Sequence, residues 1–199
     1  MAWAVFPGNE HERAVIELVT TASDRVTSVV GGALLEKGVD QTLRERLLDE
    51  PELVNSLLLV NRPLGNMGPK IDLLRLLGAL DERTHKAMKG IARVRNFFAH
   101  HLDASFSSQD RDFIKAMSQL TLHRNRTHYP HHLFGPDSDI AIERISSERE
   151  RFVVNLKLSL IALMRDRIGH VPYSNQPLTE DRLLEKYPDR YSTGGKRPA

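Results

Sequence analysis

Cysteine is absent from all 199 positions of the chain. That excludes disulfides, thiol catalysis, iron–sulfur clusters and every cysteine-ligated zinc site. Strong charge of one sign is also missing: 28 Lys and Arg stand against 26 Asp and Glu, a formal net charge of +2. So balanced a chain does not attract nucleic acid through its overall field, and any such binding needs a local patch. Long apolar runs are missing as well. The longest, Phe152 to Met164, is broken by Asn155 and Lys157 and falls short of the roughly 20 residues of a membrane span. The opening Met1 to Pro7 is apolar but has no basic stretch before Gly8, Asn9 and Glu10, so no secretory signal is expected. A soluble cytoplasmic protein is the expectation. Phosphate-cradling glycine loops, a nucleophile elbow and paired-carboxylate signatures are absent too.

What is present reads as helices. A chain of this length buries roughly two-thirds of its unfolded surface and needs no covalent staples. From Ala14 onward, Val15, Leu18, Val19, Ala22, Val26, Val29, Val30 and Ala33 recur three and four apart, the stripe of a helix. Gly31 and Gly32 interrupt it. Each costs about 1 kcal/mol relative to alanine inside a helix, so a close helix contact would be a reason to keep them. Gly38 is the expected stop. A second helix over Val39, Leu43, Leu47 and Leu48 then runs to Pro51. Residues 53–60 form a short helix, and residues 61–69, with two prolines and two glycines, form a loop. Ile71, Leu73, Leu74, Leu76 and Leu77 make a short buried helix ending near Gly78. Asp81 is expected to cap a helix through Met88, Ile91, Ala92, Phe98 and Ala99 to about His101. Ser107 and Asp110 have capping-box spacing ahead of Phe113, Ile114, Met117, Leu120 and Leu122. Asp137 or Asp139 is expected to cap a long last helix through Ile145, Phe152, Leu156, Leu160, Leu163 and Ile168. The expected fold is all-α: a single-domain bundle of six or seven helices over residues 1–170. A partly irregular C-terminal extension follows over 171–199, with room for one short helix at 179–187.

The chemistry concentrates in Ile91-Ala-Arg-Val-Arg-Asn-Phe-Phe-Ala-His-His101. Arg95, Asn96 and His100 form Arg-Asn-x3-His near a helix end. Cleaving RNA without a metal needs a base for the 2′-hydroxyl proton, and histidine titrates in the right range. It needs a fixed cation for the phosphate, which arginine supplies through a forked contact. A neutral polar group such as asparagine can orient phosphate or base. At 100° per residue, however, Arg95 and His100 lie about 140° apart around a helix, whereas Asn96 and His100 share a face. Either the helix ends before His100, or two copies of it meet across a twofold axis. The same residues also have a structural reading. Arg95 and His100 near a helix C-terminus cap free carbonyls and meet the dipole favourably, Asn96 bonds backbone, and Phe97 and Phe98 fill the core.

Other pieces extend the pattern. In order come Ser23-Asp24-Arg25, Gly31-Gly-Ala-Leu-Leu-Glu36, Pro63-Leu-Gly65, Lys70-Ile-Asp-Leu73, Leu77-Gly78, Arg95-Asn-Phe-Phe-Ala-His100 and Leu102-Asp103. This ordered set resembles the bacterial mannitol operon repressor family over roughly residues 14–122, more than half the chain. Arg-Asn-x3-His is also similar to the signature of the wider HEPN superfamily. Its members are helical bundles, often dimeric; many are metal-independent RNases and others are non-catalytic. The resemblance implies a HEPN-like fold, a homodimer and no cofactor. It implies Arg95 as phosphate clamp, Asn96 as orienting group and His100 as base. Phe97, where many relatives carry a polar or acidic residue, and the loop Asn66-Met-Gly-Pro69 depart from the pattern, and both bear on activity more than on fold. The family name implies transcriptional repression. No helix-turn-helix with a basic recognition helix is found, so repression would act through a partner protein.

A second candidate is His123-Arg-Asn-Arg-Thr-His-Tyr-Pro-His-His132, with four of the nine histidines, two arginines and no acid. His123, Arg124, Arg126 and His128 suit an accessory phosphate or RNA contact, and Tyr129 can stack on a base. A metal held by His128, His131 and His132 fits no standard spacing. The plain alternative is a solvated loop over the bundle. Lys70 and Asp72 are candidates to ion-pair with the Arg93 or Arg95 region. Asp24 and Arg25 are candidates for a buried pair with the motif helix, and Asp103 for orienting His100 or capping a helix. Glu148 to Arg151 reads as a solvated face.

Overall fold

A computed structural model describes residues 19, 21–47, 49–124 and 145–169. Asp137, Asp139 and the expected helix at 179–187 lie outside these residues. Six α-helices and no strand occur among the described residues, so the fold is the expected all-α bundle. They are α1 (Asp24–Arg46), α2 (Pro51–Leu58), α3 (Met67–Leu76), α4 (Glu82–His100), α5 (Arg111–Ser118) and α6 (Glu148–Gly169). A 3₁₀ turn, Leu122–Arg124, follows α5. None of these helices is long and apolar enough to cross a membrane.

Ser23 breaks the expected Ala14–Ala33 helix. Its backbone is extended and its side chain accepts a hydrogen bond from Val26 N, which starts α1 afresh. Once begun, α1 does not stop at Gly38 but runs through Gly31, Gly32 and Gly38 to Arg46. Gly31 and Gly32 are crossing points rather than interruptions. A Cβ on Gly31 would lie 2.7 Å from Leu156 Cδ2, and one on Gly32 would lie 2.4 Å from Arg95 Cγ. Close approach of α6 and α4 offsets the helix propensity that glycine forfeits.

Polar ties fix helix directions. Arg149, at the start of α6, donates to Ala22 O and to Thr27 Oγ1, so α1 and α6 start side by side. Arg25 donates to the carbonyls of His101 and Leu102, so α4 runs antiparallel to α1. Between them α6 is buried on every side from Phe152 to Leu160 except at Lys157, whose ammonium burial pushes down from its usual range. Phe98, Phe106, Phe113 and Phe152 form a chain of ring contacts 4.9–6.3 Å apart. Removing one of these buried rings costs about 3–5 kcal/mol.

Several expectations are corrected in detail. Lys70 is bound by Asp40 of α1 at 2.9 Å, and Asp72 by His85 and Lys89 of α4 at 2.7 Å each, so neither reaches Arg93 or Arg95. Asp110, not Ser107, caps α5, accepting from Asp112 N and Phe113 N. The last helix starts at Glu148, with Ser147 Oγ accepting from Glu150 N, and Ile145 precedes it. Asp24 and Arg25 form no buried pair with the motif helix: Arg25 bonds the backbone carbonyls just beyond its end, while Asp24 accepts from Phe106 N at 3.0 Å and pairs with Arg149 of α6 at 3.6 Å.

Candidate functional site

Helix α4 begins where Asp81 accepts a hydrogen bond from Thr84 N at 2.7 Å. Its buried stripe, Thr84, Ala87, Met88, Ile91, Val94 and Phe98, follows the three-and-four spacing of one helix face. Gly90 lets α5 cross closely, since a Cβ there would stand 2.9 Å from Ala116 O. The helix continues straight through His100, so it does not end early to swing that side chain toward Arg95. It stops at His101, whose extended backbone still donates from N to Phe97 O at 3.0 Å. Arg25 takes up the carbonyls of His101 and Leu102 beyond the last turn.

On the flank turned toward α5, α4 and its C-cap present Arg93, Asn96, Phe97, His100 and His101 to an open groove of about 380 Å³. Asp112 and Lys115 of α5 form its other wall. Arg93, Asn96, Phe97 and His100 are spaced by three, one and three residues, the spacing that aligns side chains along a helix. Arg93, Asn96, His100, His101 and Lys115 are all exposed. The fixed charges are two cations and one carboxylate, with two imidazoles beside them.

Arg95 is not a wall of this groove. Its stem fills the notch that Gly32 leaves in α1, as the 140° separation requires. Its Nη1 donates to Asn96 Oδ1 at 3.0 Å, which fixes the amide of the neighbouring side chain. Of the three motif residues, Asn96 and His100 thus meet in the groove, and Arg95 stands behind Asn96. Arg93 takes the place on the groove face that the motif led one to expect of Arg95. The signal for it was present in the sequence: Arg93 lies seven residues before His100, two helical turns along one face.

Phe98 is in the core as expected, but Phe97 is half-buried and lines the groove. Its ring lies 4.3 Å from that of His101 at 22°. Asp103 is exposed at the surface. His123 sits in the 3₁₀ turn, where its Nδ1 accepts from Asn155 Nδ2 at 3.0 Å, and it does not line the groove. Asn155 also accepts from Leu122 N at 2.8 Å, so the turn is tied to α6. The backbone of Arg124 completes that turn, and Arg126, His128, Tyr129, His131 and His132 lie outside the described residues.

Elsewhere two carboxylates carry the electrostatics of the bundle. Burial works to raise the Asp40 carboxyl, but bonds and charges from Arg44 and Lys70 outweigh it and hold it below its usual range. Burial likewise opposes Lys89 and His85 at Asp72, and the two partners prevail. No group of three or more His, Cys, Asp or Glu placed to hold a metal ion is found among the described residues. Comparison with protein-family models, with curated proteins and with solved structures finds no match.

Proposed function

We propose that this chain is a HEPN-like regulatory protein that binds RNA in the α4–α5 groove and cleaves it without a metal. The observation that carries the proposal is the convergence of His100, Asn96, Arg93 and Lys115 on one open groove. His100 is the base that takes the 2′-hydroxyl proton as that oxygen attacks the adjacent phosphorus; the P–O5′ bond breaks to leave a 2′,3′-cyclic phosphate, and the departing 5′-oxygen takes a proton from water. Asn96, its amide oxygen held by Arg95, turns its NH2 toward the ligand. Arg93 and Lys115 hold the phosphate and meet the charge that grows on it. Arg95 is a positioning residue in this scheme rather than the clamp. Two copies paired along this face would form a shared cleft, and a homodimer belongs to the proposal.

The test is cleavage of mixed single-stranded RNA in excess chelator by wild type and His100→Ala. General-base catalysis is worth typically 10²–10⁴-fold, so a loss of at least about a hundredfold is expected. Equal cleavage by both proteins ends the catalytic reading. A non-catalytic regulator acting through a protein partner is the second reading. In its favour, Leu53, Leu59, Val60 and Leu76 expose 51–83% of their surface.

A further inference from the structure

His101 is held more firmly than an exposed helix-end residue needs to be. Its backbone N and its ring Nδ1 both bond to Phe97 O, at 3.0 and 2.9 Å. A carbonyl only accepts, so Nδ1 carries the proton and Nε2 is the open nitrogen. The ring lies nearly parallel to Phe97, 4.3 Å between centroids. Phe97 is itself backed by Phe113 at 5.1 Å and met edge-on by Phe98 at 6.1 Å. The imidazole is thus the outermost member of a stack rooted in the core. One face is covered by Phe97, while the residue is exposed and forms part of the groove wall. Its sequence neighbour is the proposed base.

We infer that His101, stacked on Phe97, is a platform for one unpaired nucleobase next to the phosphate held in the groove, so that the ligand is single-stranded RNA. The inference rests on the RNA reading above and adds a ligand class to it. Every base offers a π-face, so such a platform tolerates sequence but not duplex, whose bases are already stacked. An aromatic platform residue contributes about 1–3 kcal/mol per base, or roughly 5- to 160-fold in affinity.

The experiment measures binding of a short single-stranded oligoribonucleotide to full-length protein carrying His100→Gln, which prevents cleavage. Each nucleotide is replaced in turn by an abasic one. Binding is compared for the parent, for added His101→Ala and for added His101→Tyr. The expected result is one position where losing the base weakens the parent about tenfold. The same abasic change should have no effect with His101→Ala, and the loss should return with His101→Tyr, which keeps a ring without the carbonyl bond. A role confined to capping α4 would weaken all oligonucleotides alike in His101→Ala and leave the abasic pattern unchanged, which overturns the platform. A duplex that binds as tightly as the single strand overturns it too. Both of those outcomes leave RNA cleavage by wild type standing. Failure of the parent to bind any RNA, with no cleavage by wild type, removes the RNA reading and the platform together.

Discussion

A methyl group at position 32 tests how Arg95 is used. The added Cβ would meet Arg95 Cγ at 2.4 Å and Cβ at 2.7 Å, atoms near the backbone that cannot swing away as a side-chain tip can. Alanine gains up to about 1 kcal/mol of helix propensity over glycine, whereas overpacking costs typically 1–3 kcal/mol, so the clash wins. Gly32→Ala is expected to lower stability in denaturant titrations. It should also reduce RNA cleavage, because displacing Arg95 frees the Asn96 amide. Arg95→Ala removes the closer of the two contacts, so the double variant should lose less than the sum of the single changes. Strict additivity would mean that Gly32 and Arg95 do not form one unit. The motif was legible in sequence as a set of residue types, and the 140° between Arg95 and His100 already warned that they do not face one atom. What residue types could not disclose is the notch: Gly32 and Arg95 are 63 positions apart, and only the crossing of two helices joins them.

At the scale of elements, Asp40 and Asp72 clamp three helices. Asp40 ties α1 to the almost fully buried Lys70 of α3, and Asp72 ties α3 to His85 and Lys89 of α4. Both carboxyls sit below the usual 3.8 in the folded chain, so the unfolded chain binds their protons first as pH falls. Their stabilisation is complete above about pH 4 and is lost as pH drops through the folded values. Asp40→Asn leaves Lys70 buried and unpaired. It should cost about 3 kcal/mol at neutral pH, the low end for a broken buried pair because Asp40 is partly exposed. The variant's acid limb should also be flatter than wild type's in melts between pH 2 and 7. An unchanged limb would show that Asp40 is not a source of acid sensitivity. Apolar spacing made the helices themselves readable, and caps such as Asp81 marked ends correctly. Boundaries failed where tertiary contact outweighs local preference. Gly31, Gly32 and Gly38 read as breaks because sequence shows their propensity cost and not the helix pressed against two of them. Lys70 and Asp72 read as partners of α4's basic end because sequence shows opposite charges and not which turns of antiparallel helices lie level.

For the whole molecule, a net charge of +2 sets how RNA can be held. A chain this balanced has little general field to gather a polyanion, so its attraction must be local. The groove offers two fixed cations, Arg93 and Lys115, and sets Asp112 against them. Single-stranded nucleic acid releases counterions with a slope of about −0.7 in log K against log salt for each phosphate neutralised. Two phosphates give about −1.4, far shallower than proteins that grip six or more. Base stacking on His101 does not involve counterions and should survive as salt rises. Affinity for a single-stranded oligoribonucleotide, measured from low to physiological salt, should therefore follow a slope near −1.4 for each protomer's groove that the strand occupies. Lys115→Met should reduce that slope by about 0.7 while leaving the abasic pattern at the His101 position in place. A slope of −4 or steeper would place most of the contacts outside the groove, where the basic stretch at 123–132 would be the next region to substitute.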